Sequence, residues 1–202
     1  ELKKRYVDSD LNRAFGKNGR PVGHEKKRAE ELKSQITEDF CLDLHTTTSN
    51  MGLNVILNNT NIWSQKAAVF LKQSIPEINL IEEDLLDLEC THLNRLCPGG
   101  LTIEVGPVAN NVINAELVIS TRKIVELILN FDFNTEVDLS HTEYFKFVEQ
   151  VYYPEEKGWY VHPTLEGKDF VELAKGDPIF TNIDGEEMSY NGASPMHPCL
   201  LY

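Results

Sequence analysis

An aspartate and a histidine one residue apart are the side chains of this sequence best suited to chemistry. Asp43 and His45 lie at the end of a short apolar run, residues 40–44, and a hydroxyl-rich stretch follows at once. In a β-strand, residues i and i+2 point to the same face, so this spacing aims a carboxylate and an imidazole together. The pair predicts a site at a strand end, which is where open α/β sheets bind their ligands.

A second carboxylate, Glu104, stands between Ile103 and Val105 in the apolar run 101–107. A carboxylate in such surroundings is costly unless it is paired or protonated. Desolvation also raises the pKa of a carboxyl group, which suits a general base or acid. A buried structural ion pair is the alternative interpretation of Glu104.

One imidazole and one carboxylate on two strand ends form the smallest set for metal-assisted hydrolysis. His45 is the candidate metal ligand, and a hydrogen-bonded core histidine is the alternative. Asp43 either orients a neighbouring ligand histidine or is an ordinary strand-end carboxylate.

Three arginines and one amide are candidates for binding an anion. Arg5, Asn12 and Arg13 lie close together near the start of the chain, and Arg95 precedes the 98–100 loop and Glu104. A guanidinium group binds a carboxylate through two parallel hydrogen bonds or polarises a carbonyl group. Ordinary surface charge is the alternative for each of these residues.

The charge balance excludes one class of partner. The 202 residues include 32 acidic and 19 basic side chains, which give a formal net charge of −13. Nucleic-acid binding requires a basic surface, so we expect no nucleic-acid partner. No apolar stretch approaches the roughly 18 residues of a membrane helix, so we expect no membrane partner either.

The cysteines indicate a reducing compartment. None of the four shows the paired spacing of a metal site, and Cys41 lies in an apolar run that reads as a buried strand. We interpret them as inert core thiols, which fits a cytoplasmic protein. The four residues are Cys41, Cys90, Cys97 and Cys199.

Hydrophobic periodicity predicts helices over 24–36, 62–75 and 111–131, and strands over 40–45, 53–57, 78–81 and 101–107. Gly99 and Gly100 are expected to break the chain just before the last of these strands. The alternation predicts an α/β fold with a mostly parallel sheet covered by helices on both faces. After about residue 138, frequent turn signals favour a small antiparallel β region. The predicted domains are a catalytic α/β domain, 1–137, and a β-rich domain, 138–202.

Three motifs in this order resemble the aspartoacylase and succinylglutamate-desuccinylase family, which is similar in fold to zinc carboxypeptidases. The first is Asp10-Leu11-Asn12-Arg13. The second is Asp43-Leu44-His45, followed by Thr47-Thr48-Ser49-Asn50-Met51-Gly52. The third is Ile103-Glu104-Val105-Gly106-Pro107. The resemblance runs over essentially the whole chain, and the arginine-rich opening is closest to bacterial members.

The resemblance implies a hydrolase that cleaves N-acyl amino acids, typically N-acetyl-L-aspartate to acetate and L-aspartate, with one Zn²⁺ per subunit. By position, His45 would be a zinc ligand and Glu104 the general base toward the zinc-activated water. Arg5 would polarise the scissile carbonyl, Asn12 and Arg13 would hold one substrate carboxylate, and Arg95 the other. The family's other two zinc ligands come from a Gly-x-x-His-Gly-x-Glu segment, which we expect upstream of Glu1.

Two other functions stay open from the sequence. One is a related deacylase for N-acetyl aromatic amino acids or N-succinylglutamate. The other is a metal-free relative that binds amino acids without hydrolysing them. In each case the partner is a small molecule, and a homo-oligomer is compatible with the sequence.

Overall fold

The first of two sheets carries the predicted site. The computed structural model describes residues 6–15, 23–59, 61–83 and 92–199. Its first sheet has five strands: β1 (Phe40–Thr46), β2 (Gly52–Leu57), β3 (Asn79–Glu82), β4 (Gly99–Gly106) and β5 (Phe145–Lys146). The strand order is β1-β4-β2-β3-β5. The predicted α/β architecture with a mostly parallel sheet is confirmed, since three of the four strand pairs are parallel.

Among the described residues, three helices accompany this sheet: α1 (Gly23–Gln35), α2 (Ile62–Ser74) and α3 (Ala115–Leu129). Two short 3-10 helices, Leu11–Arg13 and Leu93–Leu96, lie before α1 and before β4. No helix among the described residues is both long and apolar enough to cross a bilayer.

The two faces of the sheet differ in chemistry. Alternate residues of β4, namely Leu101, Ile103 and Val105, are buried in the main core with apolar side chains of α2 and α3. The other alternate residues, including Thr102 and Glu104, therefore belong to the opposite face. Side chains of α1 and both 3-10 helices form a separate small apolar cluster. The core face stabilises the sheet, at about 1.5–3 kcal/mol for each fully buried aliphatic side chain, and the opposite face carries polar groups.

The remaining strand pair, β2 with β4, is antiparallel, as a mostly parallel sheet allows. One detail of the sheet differs from the sequence-based prediction. Gly99 and Gly100 do not break the chain but begin β4, and both are buried. A Cβ atom at Gly100 would lie 2.7 Å from the carbonyl oxygen of Asn94. Gly100 therefore marks close packing against neighbouring backbone, which the sequence alone does not distinguish from a turn.

The third helix begins four residues later than predicted. Asn111 has a positive φ of 63°, and Val112 is exposed. The helix begins at Ala115 because the side chain of Asn114 accepts hydrogen bonds from the backbone N–H groups of Glu116 and Leu117.

A second, antiparallel sheet confirms the β-rich region expected after about residue 138. It consists of β6 (Trp159–Val161), β7 (Pro178–Asn182) and β8 (Glu187–Ser189), in that order. A separate apolar cluster that includes Leu165, Leu173 and Phe180 packs within this region. Strand β5 also comes from this part of the chain, and it pairs with β3 of the first sheet.

Candidate functional site

His45 and Asp43 lie together on the polar face at the end of β1, as their spacing predicts. His45 Nε2 is 3.1 Å from Asp43 Oδ2, which is buried, although these atoms are not aligned as a regular hydrogen bond. The same ring nitrogen is 3.3 Å from the side-chain nitrogen of Asn12. Two side chains therefore approach Nε2 of His45, and of these two contacts the one with Asn12 has the geometry of a hydrogen bond.

Glu104 lies beside His45 on the neighbouring strand. The two residues are partners in the parallel register of β1 and β4, so their side chains share one face of the sheet. Glu104 is the one residue of β4 that is not fully buried. Burial raises the pKa of its carboxyl group, the nearby His45 lowers the pKa, and Asp43 raises it. The structure thus combines an imidazole with a carboxylate whose proton affinity is increased.

Asn54 holds the backbone at Glu104 and is not among the residues predicted from the sequence. Asn54 is fully buried, and its side-chain nitrogen donates to the carbonyl oxygen of Glu104 at 3.1 Å. Asn79 in turn donates to the side-chain oxygen of Asn54 at 3.3 Å. An asparagine inside the apolar run 53–57 was the available signal, by the same reasoning that singled out Glu104.

Glu25 is also not among the predicted residues. It binds the backbone of residues 7–9, the segment that leads to Asn12 and Arg13. Its buried carboxylate accepts backbone hydrogen bonds from Val7 at 2.5 Å, Asp8 at 3.1 Å and Ser9 at 3.2 Å. Burial alone would raise the pKa of Glu25, but these donors outweigh it and lower the pKa. In the sequence Glu25 is one charge of a highly charged helix, so nothing distinguishes it there.

The structure brings together some of the candidate substrate-binding residues. Asn12 and Arg13 lie in the 3-10 helix Leu11–Arg13, and Asn12 contacts His45 directly. The Arg13 side chain is exposed. Arg5 lies outside the described residues. Arg95 belongs to the 3-10 helix Leu93–Leu96, but its side chain is outside the described part.

The residues present fit one part of a metal centre. An imidazole oriented by a carboxylate is the usual arrangement of a zinc-binding histidine. A catalytic zinc site, however, takes three protein ligands. Within the described ranges, no group of three histidine, cysteine, aspartate or glutamate side chains is placed to hold a metal ion. His45 therefore fits as one ligand, and the described residues do not complete the set.

The cysteine thiols of the described residues are shielded from ionisation. Burial raises the pKa of Cys41 to about 12, with further contributions from Cys97 and Asp43. Burial likewise raises the pKa of Cys199 to about 11. Burial is also the main reason that the pKa of Cys97 is raised. Such thiols are poor nucleophiles, because the thiolate is the reactive form.

We expect Cys41 and Cys199 to react with iodoacetamide at pH 8 at least about 100-fold more slowly in the folded protein than in urea. At this pH a thiol of pKa 12 is ionised in about one molecule in ten thousand. Timed alkylation followed by peptide mass spectrometry measures each site separately. Equal rates for Cys41 in the folded and unfolded chain would contradict the assignment of an inert core thiol.

Comparison with known proteins agrees with this arrangement. The model of the succinylglutamate desuccinylase/aspartoacylase catalytic domain matches residues 1–131, and the model of the AstE/AspA barrel-sandwich hybrid domain matches residues 140–200. A probable aspartoacylase of Trichodesmium erythraeum is 35% identical, over 100% of this chain and 75% of the relative. The N-acyl-aromatic-L-amino acid amidohydrolase (carboxylate-forming) B of Danio rerio is 30% identical, over 98% of this chain and 71% of the relative.

A solved structure is similar over nearly the same extent. The crystal structure of murine aminoacylase 3 superposes with a TM-score of 0.84 at 27% sequence identity. The match covers 96% of this chain and 72% of that one. The fold is thus shared with murine aminoacylase 3.

Proposed function

The chain belongs to the succinylglutamate desuccinylase/aspartoacylase family of amide-bond hydrolases, and on that premise we propose that it is a zinc-dependent deacylase whose substrate is N-acetyl-L-aspartate. The products are acetate and L-aspartate. The observation that carries the proposal is the pairing of His45 with Glu104 across β1 and β4, with Asp43 and Asn12 at the imidazole. These residues would provide a metal ligand, a carboxylate that orients it and a general base on one face of the sheet.

His45 is the zinc ligand that the described residues supply. Since Asn12 forms a hydrogen bond with Nε2 and Asp43 Oδ2 lies 3.1 Å from it, we propose Nδ1 as the ring atom that would bind the metal. The described residues do not complete the ligand set. Zinc bound at His45 would supply Lewis acidity, which would make water a usable nucleophile at neutral pH.

Glu104 moves the proton in the proposed reaction. Its carboxylate accepts a proton from the attacking water and later delivers it to the nitrogen of the leaving amine, as the amide C–N bond breaks. The raised pKa suits both steps, because the carboxyl group then holds the proton between them. Arg5 is proposed to polarise the scissile carbonyl group, where a fixed positive charge stabilises the developing oxyanion.

The proposed substrate carries two carboxylates, and the chain offers basic groups for both. Asn12 and Arg13 are proposed to bind one of them, next to His45. Arg95 is proposed to bind the other. These local positive charges are needed because the chain as a whole carries a formal net charge of −13.

A second candidate substrate is an N-acetylated aromatic amino acid. It is favoured by the similarity to the N-acyl-aromatic-L-amino acid amidohydrolase of Danio rerio. Comparison of kcat/KM for N-acetyl-L-aspartate, N-acetyl-L-tyrosine and N-succinyl-L-glutamate separates the alternatives. We expect the highest value for N-acetyl-L-aspartate. A higher value for either of the other two would replace the proposed substrate, and binding without turnover of any would support a non-catalytic relative.

Replacement of Arg13 by alanine is expected to raise KM for the dianionic substrate by about 10- to 100-fold, with a much smaller change in kcat. The reason is the loss of a charge-assisted hydrogen bond, worth about 1.5–3 kcal/mol. Steady-state kinetics measure both constants. Arg28→Ala is the matched control, because Arg28 is an exposed arginine of α1 that pairs with Glu31 at 2.9 Å. A KM equal to that of the wild type would overturn the assignment of Arg13.

A further inference from the structure

The 47–51 loop connects His45 to the rest of the site. It directly follows β1, and its residues Thr47, Ser49 and Met51 are buried. Inside the loop, the backbone N–H of Ser49 donates to the hydroxyl oxygen of Thr47 at 3.1 Å. A buried loop with an internal hydrogen bond has little conformational freedom. The position of the 47–51 loop therefore also fixes the position of the end of β1.

The same loop packs against the chain that follows Glu104. The backbone N–H of Thr47 donates to the carbonyl oxygen of Val105 at 3.0 Å, and that of Val108 donates to the carbonyl oxygen of Thr47 at 2.9 Å. A Cβ atom at Gly106 would lie 2.6 Å from the carbonyl oxygen of Ser49. The ends of β1 and β4, which carry His45 and Glu104, are thus joined through this loop.

The loop is also bound to the β-rich region. Ser49 Oγ donates to Asp169 Oδ1 at 2.5 Å, and Asn50 Nδ2 donates to the carbonyl oxygen of Gly167 at 2.7 Å. Two side chains of one loop therefore bind the 167–170 segment.

The 167–170 segment is itself held in place. The backbone N–H of Phe170 donates to the carbonyl oxygen of Pro198 at 2.8 Å. The Phe170 ring packs on Phe145 of β5, with 4.7 Å between the ring centroids. Since β5 belongs to the first sheet, the segment that contains Asp169 is bound to the first sheet through Phe145 and to the β-rich region through Pro198.

We propose that Asp169 is a positioning residue of the active site, which acts through Ser49 and the 47–51 loop to hold His45 and Glu104 in their relative positions. This inference rests on the proposed function for its effect on turnover. Ser49 lies four residues after His45 and contacts Gly106, two residues after Glu104. Small displacements of reacting groups have large kinetic effects, about 100-fold for a shift of 1 Å.

Four variants test the proposal in the native full-length protein. Ser49→Ala and Asp169→Ala are each expected to lower kcat by about tenfold with little change in KM. Asp169→Asn keeps an oxygen that accepts the Ser49 hydroxyl, so its kcat is expected to stay within about twofold of the wild type. The double variant Ser49→Ala/Asp169→Ala should be no slower than either single variant, because both remove the same bond. Glu172→Ala, an exposed carboxylate three residues away, is the control.

Amide hydrogen exchange supplies a readout that does not depend on turnover. Peptides that cover residues 46–51 and 105–112 should exchange about tenfold faster in Asp169→Ala, and at the wild-type rate in Asp169→Asn. Unchanged kcat and exchange in Ser49→Ala and Asp169→Ala would overturn the proposal. It would also be overturned if these variants lost thermal stability alone, or if Asp169→Asn were as impaired as Asp169→Ala. An inactive wild type would refute the proposed function, while the exchange data would still decide the role of Asp169.

Discussion

Replacement of Glu104 by glutamine is expected to lower kcat by about 10²- to 10⁴-fold and to leave substrate binding and zinc content close to those of the wild type. Glutamine has the size of glutamate and keeps a hydrogen-bonding oxygen, but it cannot accept the proton of the attacking water. The carboxyl group of Glu104 has a pKa raised by burial and lies next to His45 in the register of β1 and β4. It is therefore the described group best placed to carry that proton.

Steady-state kinetics and metal analysis of Glu104→Gln measure this effect. Glu126→Gln is the control, since Glu126 lies on the surface of α3 and pairs with Arg122 at 2.7 Å. A thermal unfolding curve shows whether the Glu104 variant folds. If folded Glu104→Gln turned over substrate at the wild-type rate, Glu104 would not be the base.

Replacement of His45 by alanine is expected to lower zinc affinity by more than about 100-fold and to abolish turnover with it. A catalytic site with three protein ligands cannot hold the metal well with two. The neighbours Asp43 and Asn12 would remain, so the loss would be attributable to the ring itself.

Competition with a chromophoric chelator measures the zinc affinity of the His45 variant. His162→Ala is the matched control, because His162 directly follows β6 of the second sheet and its Nε2 lies 3.3 Å from Glu187 Oε1. The control should keep both zinc and activity. A His45→Ala protein that bound zinc as tightly as the wild type would exclude His45 from the ligand set.

The pair of Asp43 and His45 was predictable from the sequence because both residues belong to one short strand. The alternation of β1 alone places Asp43 and His45 on one face, and the apolar neighbours of Glu104 alone indicate an unusual carboxylate. The register of β1 and β4 places His45 beside Glu104, and no local sequence pattern contains this information. The three motifs of the resemblance supplied the proposed roles of these residues, which spacing by itself does not give.

Other features depend on contacts between distant parts of the chain. Ser49 and Asp169 are 120 residues apart, and neither is unusual in its own stretch of sequence. Glu25 binds backbone N–H groups 16 to 18 residues before it. The sequence predicts a chain break at Gly100, because a glycine that forms a turn cannot be distinguished in the sequence from one that packs closely against backbone. Such residues can be identified only once the fold is known.

The most direct test of the proposed function is amine release from N-acetyl-L-aspartate by the native full-length protein. The reaction is followed in the zinc-loaded protein, after removal of zinc with a chelator, and after zinc is restored. We predict turnover that is lost with the metal and recovered with it. Turnover that persists without zinc, or a zinc-loaded protein that cleaves no N-acyl amino acid, would contradict the assignment of this chain as a zinc-dependent deacylase.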